Sequence, residues 1–521
     1  MRKNNTNTTT TTMAANSWII ALASTALITA VMIIMMRIKK HKRAVLPPGP
    51  RGLPILGNLH MLGDLPHQDL HKLSQKYGPI MHIRLGLVPT IVVSSPKAAE
   101  LFLKTHDLVF SGRPSIQGSK YISYGRKGLA FAGYGPYWRE IRKLCTLELF
   151  TSAKIEMFRA MRREEVGGLV EVVVVKGAAE DRRAVCVSEM VEKVVEDMTY
   201  RMVFGGKDDR FHFRPIINEV LAFAGGFNVG DYVPFLAPFD VQGLLPRMKA
   251  ASKNFDVVIE KIIEEHIKDA KEQNGQVRDF IDVMLSLMES NSMKQVQFGK
   301  DNIKAIILDV LGAAMDTSVN VVNWAFAELL RHPKLMKRVQ DELRDVVGMD
   351  RMVEETDLPK LNYLNMVIKE TMRLHPVAPL LIPHESTEDI TINGYFIPKK
   401  SRVIVNVWTI GRDPNAWSED AEEFNPDRFI GIDMDFVGSH EFQLIPFGSG
   451  RRSCPGMQLG LVEVQLILAQ LLHCFNWELP DGASPCDLDM SEKFNLTMAR
   501  ASSLHCIPSY RLNTLKTSKT T

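Results

Sequence analysis

Apolar residues recur every three to four positions through long stretches of this chain: 67–76, 136–148, 154–174, 188–204, 249–272, 300–331, 333–347, 360–374 and 455–475. That spacing predicts helices with one buried face. Alternation is confined to short runs. Ile80–Leu85 and residues 90–94 read as a hairpin, and Ile390–Ile392 with Tyr395–Ile397 as a second across Asn393-Gly394, a strong turn signal. Residues 403–408 read as a further strand. The pattern therefore predicts a mainly α fold with small β portions. Its longest helical stretch, 301–331, would measure about 46 Å, enough to cross a domain.

One segment has no polar face at all. Residues 18–36 carry no charge and would span about 28 Å as a helix, close to the hydrocarbon thickness of a bilayer. Arg2 and Lys3 precede it, whereas Arg37, Lys39, Lys40, Lys42 and Arg43 follow it. This asymmetry predicts a single-pass anchor with everything after residue 37 in the cytosol. A cleaved signal peptide fits less well, because the run is long and leads into basic residues without a small-residue cleavage site. The Thr-rich start at 4–12 reads as disordered; Met13 offers a second initiator, and the sequons at Asn4 and Asn7 carry little weight there. The prolines in 46–54 predict a stiff extended spacer. The expected organisation is a lumenal N-terminus (1–17), the anchor (18–36), a basic and proline-rich hinge (37–55), a catalytic body (56–513) and a flexible tail (514–521).

Composition narrows the picture. The chain has 521 residues, 45% apolar and 24% charged, as an ordinary globular body would. A net charge of +3 is too small to point to nucleic acid. The cysteines at 145, 186, 454, 474, 486 and 506 show no CxxC pairing, which argues against a zinc ribbon or a disulfide scaffold and fits a reducing compartment.

One cysteine stands apart. In Pro446-Phe447-Gly448-Ser449-Gly450-Arg451-Arg452-Ser453-Cys454-Pro455-Gly456, glycines permit a tight loop, Phe447 can shield a sulfur, and Arg452 offers a cation. Pro455 reads as the first residue of a helix, whose exposed amides favour a negative sulfur. An axial cysteine thiolate pushes electron density onto haem iron and favours O–O cleavage. The spacing Phe-x-x-Gly-x-Arg-x-Cys-x-Gly resembles the haem-binding loop of the cytochrome P450 family, and the resemblance extends over residues 47–513.

That resemblance implies the P450 fold, haem b (heme, iron protoporphyrin IX) as cofactor, and Cys454 as iron ligand with Phe447 and Gly456 beside it. Trp138 and Arg142, one helical turn apart, match the family's Trp-x-x-x-Arg helix, and with His384 and Arg452 form the expected propionate clamp. Gly312-Ala313-Ala314-Met315-Asp316-Thr317 places Thr317 one turn after Ala313, where its hydroxyl can bond back to a carbonyl and loosen the helix. Asp316 and Thr317 are thus the expected catalytic residues, delivering protons for oxygen activation; Met315 faces away. Ala314 stands where the family usually has glycine, which bears on the width of the oxygen groove. Glu370 and Arg373 share a helix face and, by resemblance, form a buried ion network with Arg428. Ala421, often proline in the family, suggests a looser loop.

The expected pocket draws on residues 110–131, the helix near 217–228, 308–317, 378–382 and 494–497, with Ala313, Leu380, Leu381, Ile382 and Phe494 as wall residues. An uncharged wall suits a small lipophilic substrate. His67 and His71 lack a third metal ligand and read as a solvated helix face. The wording of the hinge and of both motifs resembles plant A-type enzymes of specialised metabolism, which oxidise terpenoids, phenolics and alkaloids. It implies an endoplasmic reticulum membrane protein using NADPH through cytochrome P450 reductase, with cytochrome b5 as a further partner. Oxidative coupling, cyclisation or desaturation would use the same haem chemistry. A reductase-independent hydroperoxide-rearranging enzyme departs from the Asp-Thr pair retained here, and a non-catalytic haem sensor is the remaining class.

Overall fold

The structure, a computed structural model, describes residues 45–177, 183–207, 213–272, 278–290, 297–436 and 442–513. The expected anchor, its basic flank and the C-terminal tail lie outside them. The chain divides into two units, residues 1–47 with Asp389–Ile397, and Pro48–Glu388 with Pro398–Thr521. In the smaller unit, Ile390 pairs with Ile397 and Ile392 with Tyr395. Asn393 and Gly394 both have positive φ, 50° and 81°, as a two-residue hairpin turn requires. The Phe396 amide also donates to the Val45 carbonyl at 2.7 Å.

The larger unit is mainly helical. The helices that position its centre are α1 (Pro66–Tyr77), α2 (Gln117–Ile122), α3 (Pro136–Leu144), α4 (Val187–Phe204), α5 (Phe213–Gly225), α6 (Leu244–Glu272), α7 (Phe280–Glu289), α8 (Lys300–Arg331), α9 (Asn362–Leu374) and α10 (Met457–Cys474). Pro66 and Pro136 start α1 and α3, where a missing N–H costs nothing. α8 threads the core, packed on α4, α9 and α10. Leu311, Met315, Val322 and Phe326 are almost wholly buried along it. α8 and α10 are long and apolar enough to cross a membrane, but 61% and 67% of their apolar windows are buried, so they read as core helices.

Short strands form a sheet in the order β1 (Ile80–Leu85), β2 (Val88–Val93), β4 (Arg402–Val405), β3 (His384–Glu385). β1 and β2 are antiparallel, with Ile80 opposite Val93; β2 runs parallel to β4, with Thr90 opposite Arg402. The hairpin β5 (Glu492–Phe494) and β6 (Met498–Arg500) stands near the end of the chain. The proline-rich run is laid along β1 from Pro48 onward, whose carbonyl accepts from the His82 amide at 2.9 Å.

Boundaries differ from the sequence reading in instructive places. The strand expected over 403–408 stops at Val405, because the Asn406 side chain caps a helical turn, Val407–Ile410, by accepting from the Thr409 amide. The helix expected over 136–148 is α-helical only to Leu144 and continues as a π turn, Cys145–Leu149. α7 escaped the periodicity because Phe280 to Leu285 are buried without interruption, leaving no polar stripe.

Candidate active site

The cysteine loop is shaped by two left-handed glycines, Gly448 (φ 68°) and Gly450 (φ 70°). A Cβ on Gly450 would stand 2.2 Å from the Leu103 carbonyl oxygen, so the loop needs glycine there for space as well as for φ. The turn closes when the Cys454 amide donates to the Phe447 carbonyl at 2.9 Å. Phe447 is half-buried and meets Phe436 edge-on at 5.9 Å. α10 begins at Met457 behind Gly456, so Pro455 lies in the turn and not at the first helical position. Cys454 is accessible to solvent although protein encloses most of it. Burial pushes its thiol pKa up; the Gly456 N–H and the Arg142 guanidinium pull it down without reversing the shift. The expected electrostatic activation is therefore incomplete in the polypeptide alone. A coordinating metal deprotonates a thiol outright, so iron ligation would supply what the fold leaves undone.

Beside this loop converge four guanidiniums. Arg452 donates to the carbonyls of Ser111 (2.9 Å), Ala132 (2.7 Å) and Leu129 (3.3 Å), and its carbon lies 4.2 Å from the Trp138 ring centroid. Trp138 donates to Leu129 at 3.1 Å, and Arg142 to the Ser453 carbonyl at 2.7 Å. Arg113 donates to Pro383 (3.0 Å) and Ala130 (3.2 Å), and Arg126 to Phe131 (2.8 Å) and Arg113 (2.9 Å). These acceptors are all neutral carbonyls. Burial, then mutual repulsion, lowers Arg452 and Arg113 to about 9 each. His384 is buried, its Nδ1 2.7 Å from the Phe110 carbonyl, and burial with Arg113 and Arg452 holds its pKa well below the usual value. A dianion relieves such a cluster, and the two propionates of haem are one.

Arg113 and Arg126 were missed in the sequence because a single arginine in a loop carries no periodic signal. Asp309 was also missed. Its Oδ2 accepts from the Leu129 amide and, at 3.0 Å, from the Ala130 amide, tying α8 to the loop that carries the acceptors of Arg452 and Trp138. Burial raises its pKa to about 6 against the pull of those two amides.

On α8 the Thr317 hydroxyl donates to the Ala313 carbonyl at 2.7 Å. Ala313 is exposed in the middle of a core helix and Ala314 is half-buried, whereas Met315 is buried. The surface open to solvent is therefore the small-residue face. Gly312 lets Leu221 of α5 approach, since a Cβ there would lie 2.9 Å from its side chain. Burial raises the Asp316 pKa, and Arg214 partly opposes this. Arg214 itself pairs with Glu192 and, at 3.4 Å, Glu196.

Glu370 and Arg373 are wholly buried and paired at 2.7 Å, and Arg428 reaches Glu370 at 2.9 Å. The Ala421 carbonyl accepts from Arg373 at 2.6 Å and its amide donates to Ser418 at 3.1 Å. Ala421 is buried, so the loosening expected from the missing proline is absent: both its backbone groups are held.

Some of the expected pocket segments touch in pairs: Leu129 on Asp309, Arg113 on Ile382 and Gly225 beside Leu496. Leu380, Leu381 and Ile382 are half-buried. Leu381 holds a left-handed φ of 50° and reaches to 3.8 Å from where a Cβ of Gly448 would stand. Leu380 also packs on the β1–β2 core. Phe494 turns its ring towards His67, with centroids 5.4 Å apart. The solvated face expected for His67 is wrong: the residue is fully buried, 2.8 Å from Glu492, because α1 lies against β5 and Trp408. His71 is partly exposed, with Nδ1 3.3 Å from the Thr409 hydroxyl.

Residues 47–506 match the family model for cytochrome P450. Cytochrome P450 CYP736A12 of Panax ginseng is 55% identical to this chain, covering 92% of it and 96% of the relative. Flavonoid 3'-monooxygenase CYP75B137 of Crocosmia x crocosmiiflora is 40% identical over 94% of this chain and 97% of its own length. A solved zebrafish cytochrome P450 with progesterone superposes with a TM-score of 0.74 at 27% identity, covering 85% of this chain and 99% of that one. The cofactor of the family is haem b and its chemistry is oxygen insertion by an oxidoreductase, which the thiol loop and the guanidinium cluster fit. On fold, site and sequence together, the chain belongs to the cytochrome P450 family.

Proposed function

We propose that this chain is an endoplasmic-reticulum-anchored monooxygenase that inserts one atom of O2 into a small lipophilic plant specialised metabolite, a terpenoid, phenolic or alkaloid. The second oxygen atom leaves as water, with two electrons from NADPH arriving through cytochrome P450 reductase, and cytochrome b5 as an additional donor. The observation that carries this reading is the meeting of an uncharged wall, Leu380 to Ile382, with the Cys454 loop at Leu381 and Gly448. A wall without charges selects apolar ligands by desolvation.

Haem, once bound, supplies the one-electron and dioxygen chemistry. Cys454 would ligate its iron, with Phe447 and Gly456 beside it in the same loop. Trp138, Arg142, His384 and Arg452 would hold the propionates, joined by Arg113 and Arg126. Thr317 and Asp316 move protons on the substrate side: the Thr317 hydroxyl already spans the helix to Ala313, and burial keeps Asp316 readier to hold a proton than an exposed aspartate. Ala313 and Phe494, with the wall residues, would bound the substrate. The Glu370, Arg373 and Arg428 network fixes the loop from Trp417 to Asn425 and gives specificity of arrangement rather than net stability. The relative from Crocosmia named as a flavonoid 3'-monooxygenase supports placing phenolics among the substrates.

The test is expression in microsomes with a plant reductase, followed by incubation with metabolite extracts and NADPH. Products that need both NADPH and O2 are expected. Conversion of lipid hydroperoxides without NADPH, and none with it, would overturn the reading.

A further inference from the structure

The hairpin β5–β6 carries a turn, residues 494–497, that touches several walls of the central region. Leu496 lies against the end of α5, where a Cβ on Gly225 would fall 2.9 Å from its own Cβ. The Thr497 hydroxyl is 3.4 Å from Asn320 of α8, and the Met498 amide donates to the Val377 carbonyl at 2.8 Å. Two residues before the turn stands Glu492, whose carboxylate is only 9% exposed. Three directional donors converge on it. His67 Nε2 lies 2.8 Å and Gln68 Nε2 2.7 Å from one oxygen, and Trp408 Nε1 donates to the other at 3.0 Å.

These donors come from α1 and from the helical turn Val407–Ile410. The clamp is itself held. The His67 ring packs against both Trp408 and Phe494 at 5.4 Å, and its carbonyl accepts from Asn406 at 2.8 Å. Its Nδ1 is buried without a hydrogen-bond partner among the described residues, so Glu492 is the polar tether of the ring there. Arg412 stacks on Trp408 at 3.8 Å. Burial pushes the Glu492 carboxyl up, but the His67, Trp408 and Gln68 donors outweigh it and bring its pKa to about 2. An apolar residue would fill this position without the cost of burying a charge. What a carboxylate with three fixed donors adds is a defined location for the strand that bears it.

We infer that Glu492 is a positioning residue for the substrate pocket: held from outside by His67, Gln68 and Trp408, it fixes the turn 494–497 and so decides which bulky ligands fit. The inference rests on the monooxygenase reading above and adds a specificity determinant that touches neither substrate nor cofactor.

The experiment uses the full-length, haem-loaded protein in microsomes and two spectral probes. Imidazole needs only access to the iron, whereas clotrimazole must also fill the pocket. For Glu492→Gln, clotrimazole affinity should fall about tenfold, the equivalent of about 1.4 kcal/mol, while imidazole stays within about twofold and the reduced CO spectrum is unchanged. Trp408→Phe, which removes one donor and keeps a ring, should show a smaller loss of the same kind. Unchanged clotrimazole binding in a folded Glu492→Gln protein would overturn the inference. If Glu492→Gln fails to retain haem, Trp408→Phe decides: an equal loss for both probes would reduce the clamp to a stabilising role. Wild-type protein giving no spectral response to either azole would instead overturn the haem-thiolate reading beneath it.

Discussion

Arg113, Arg126, Arg142 and Arg452 illustrate how a site reveals itself through what its residues lack. None is paired with a carboxylate of the described residues at hydrogen-bond distance, and Arg113 and Arg452 are repelled by neighbouring guanidiniums, so a bound dianion would offset a charge the fold leaves uncompensated. Arg113→Ala should therefore lower the haem-to-protein ratio of the purified enzyme severalfold at unchanged helix content, read by pyridine haemochrome assay and far-UV dichroism. Unchanged haem content would remove Arg113 from the site. Thr317→Ala should leave haem binding intact and divert NADPH electrons to peroxide; full coupling in that variant would contradict the proton role.

A third residue-level prediction concerns pH. His266 lies 3.0 Å from Asp279, joining the end of α6 to the start of α7, with Asp282 and Arg278 alongside. Burial lowers the His266 pKa, but the Asp279 carboxylate more than offsets this, so the net shift is upward. A raised folded-state pKa stabilises fully below the unfolded value, about 6.5, and the gain is lost as pH rises through the folded value. His266→Gln should thus lower the Tm most below about pH 6 and least once the pH has risen past the folded-state value. A pH-independent difference would refute the pairing.

At the scale of elements, the long amphipathic helices were legible because their period is written over many turns, and Pro333–Val347, which buries Met336, Val339, Leu343 and Val347, is the clearest case. Elements that obey no period were not. α7 is buried on most sides, and the turn after β4 depends on one cap, Asn406. Sites built on a spacing were legible too: Cys454 with its loop, Glu370 with Arg373, and Thr317 one turn beyond Ala313. Those built by distant chain segments were hidden. Nothing local announces that His67 and Glu492, 425 positions apart, share a hydrogen bond, which is why the sequence suggested a solvated His67. The ion network makes an element-level prediction. Glu370→Gln leaves Arg373 buried without its carboxylate and Arg428 with Asp420 alone, a loss of about 3–5 kcal/mol. Soluble haem-bearing protein should be lost, and recovery of normal yield with a full CO spectrum would contradict it.

For the whole molecule, the sequence conveyed class and cofactor well because both are carried by short motifs in a fixed order. It named the expected pocket only by resemblance, because its five segments lie far apart in the chain and share no local pattern. The proposed anchor makes its own prediction: deletion of residues 1–44 should release the protein from membranes in a flotation assay while its azole response persists. Continued tight membrane association would place the main attachment elsewhere. The proposed function depends on a thiolate at position 454 binding haem iron. The most direct measurement is the CO difference spectrum of the dithionite-reduced protein, taken beside Cys454→Ala. A Soret band at the thiolate position in the wild type, absent from the variant, is the predicted result. A wild-type protein free of haem, or one whose band survives the loss of the cysteine, would contradict the account.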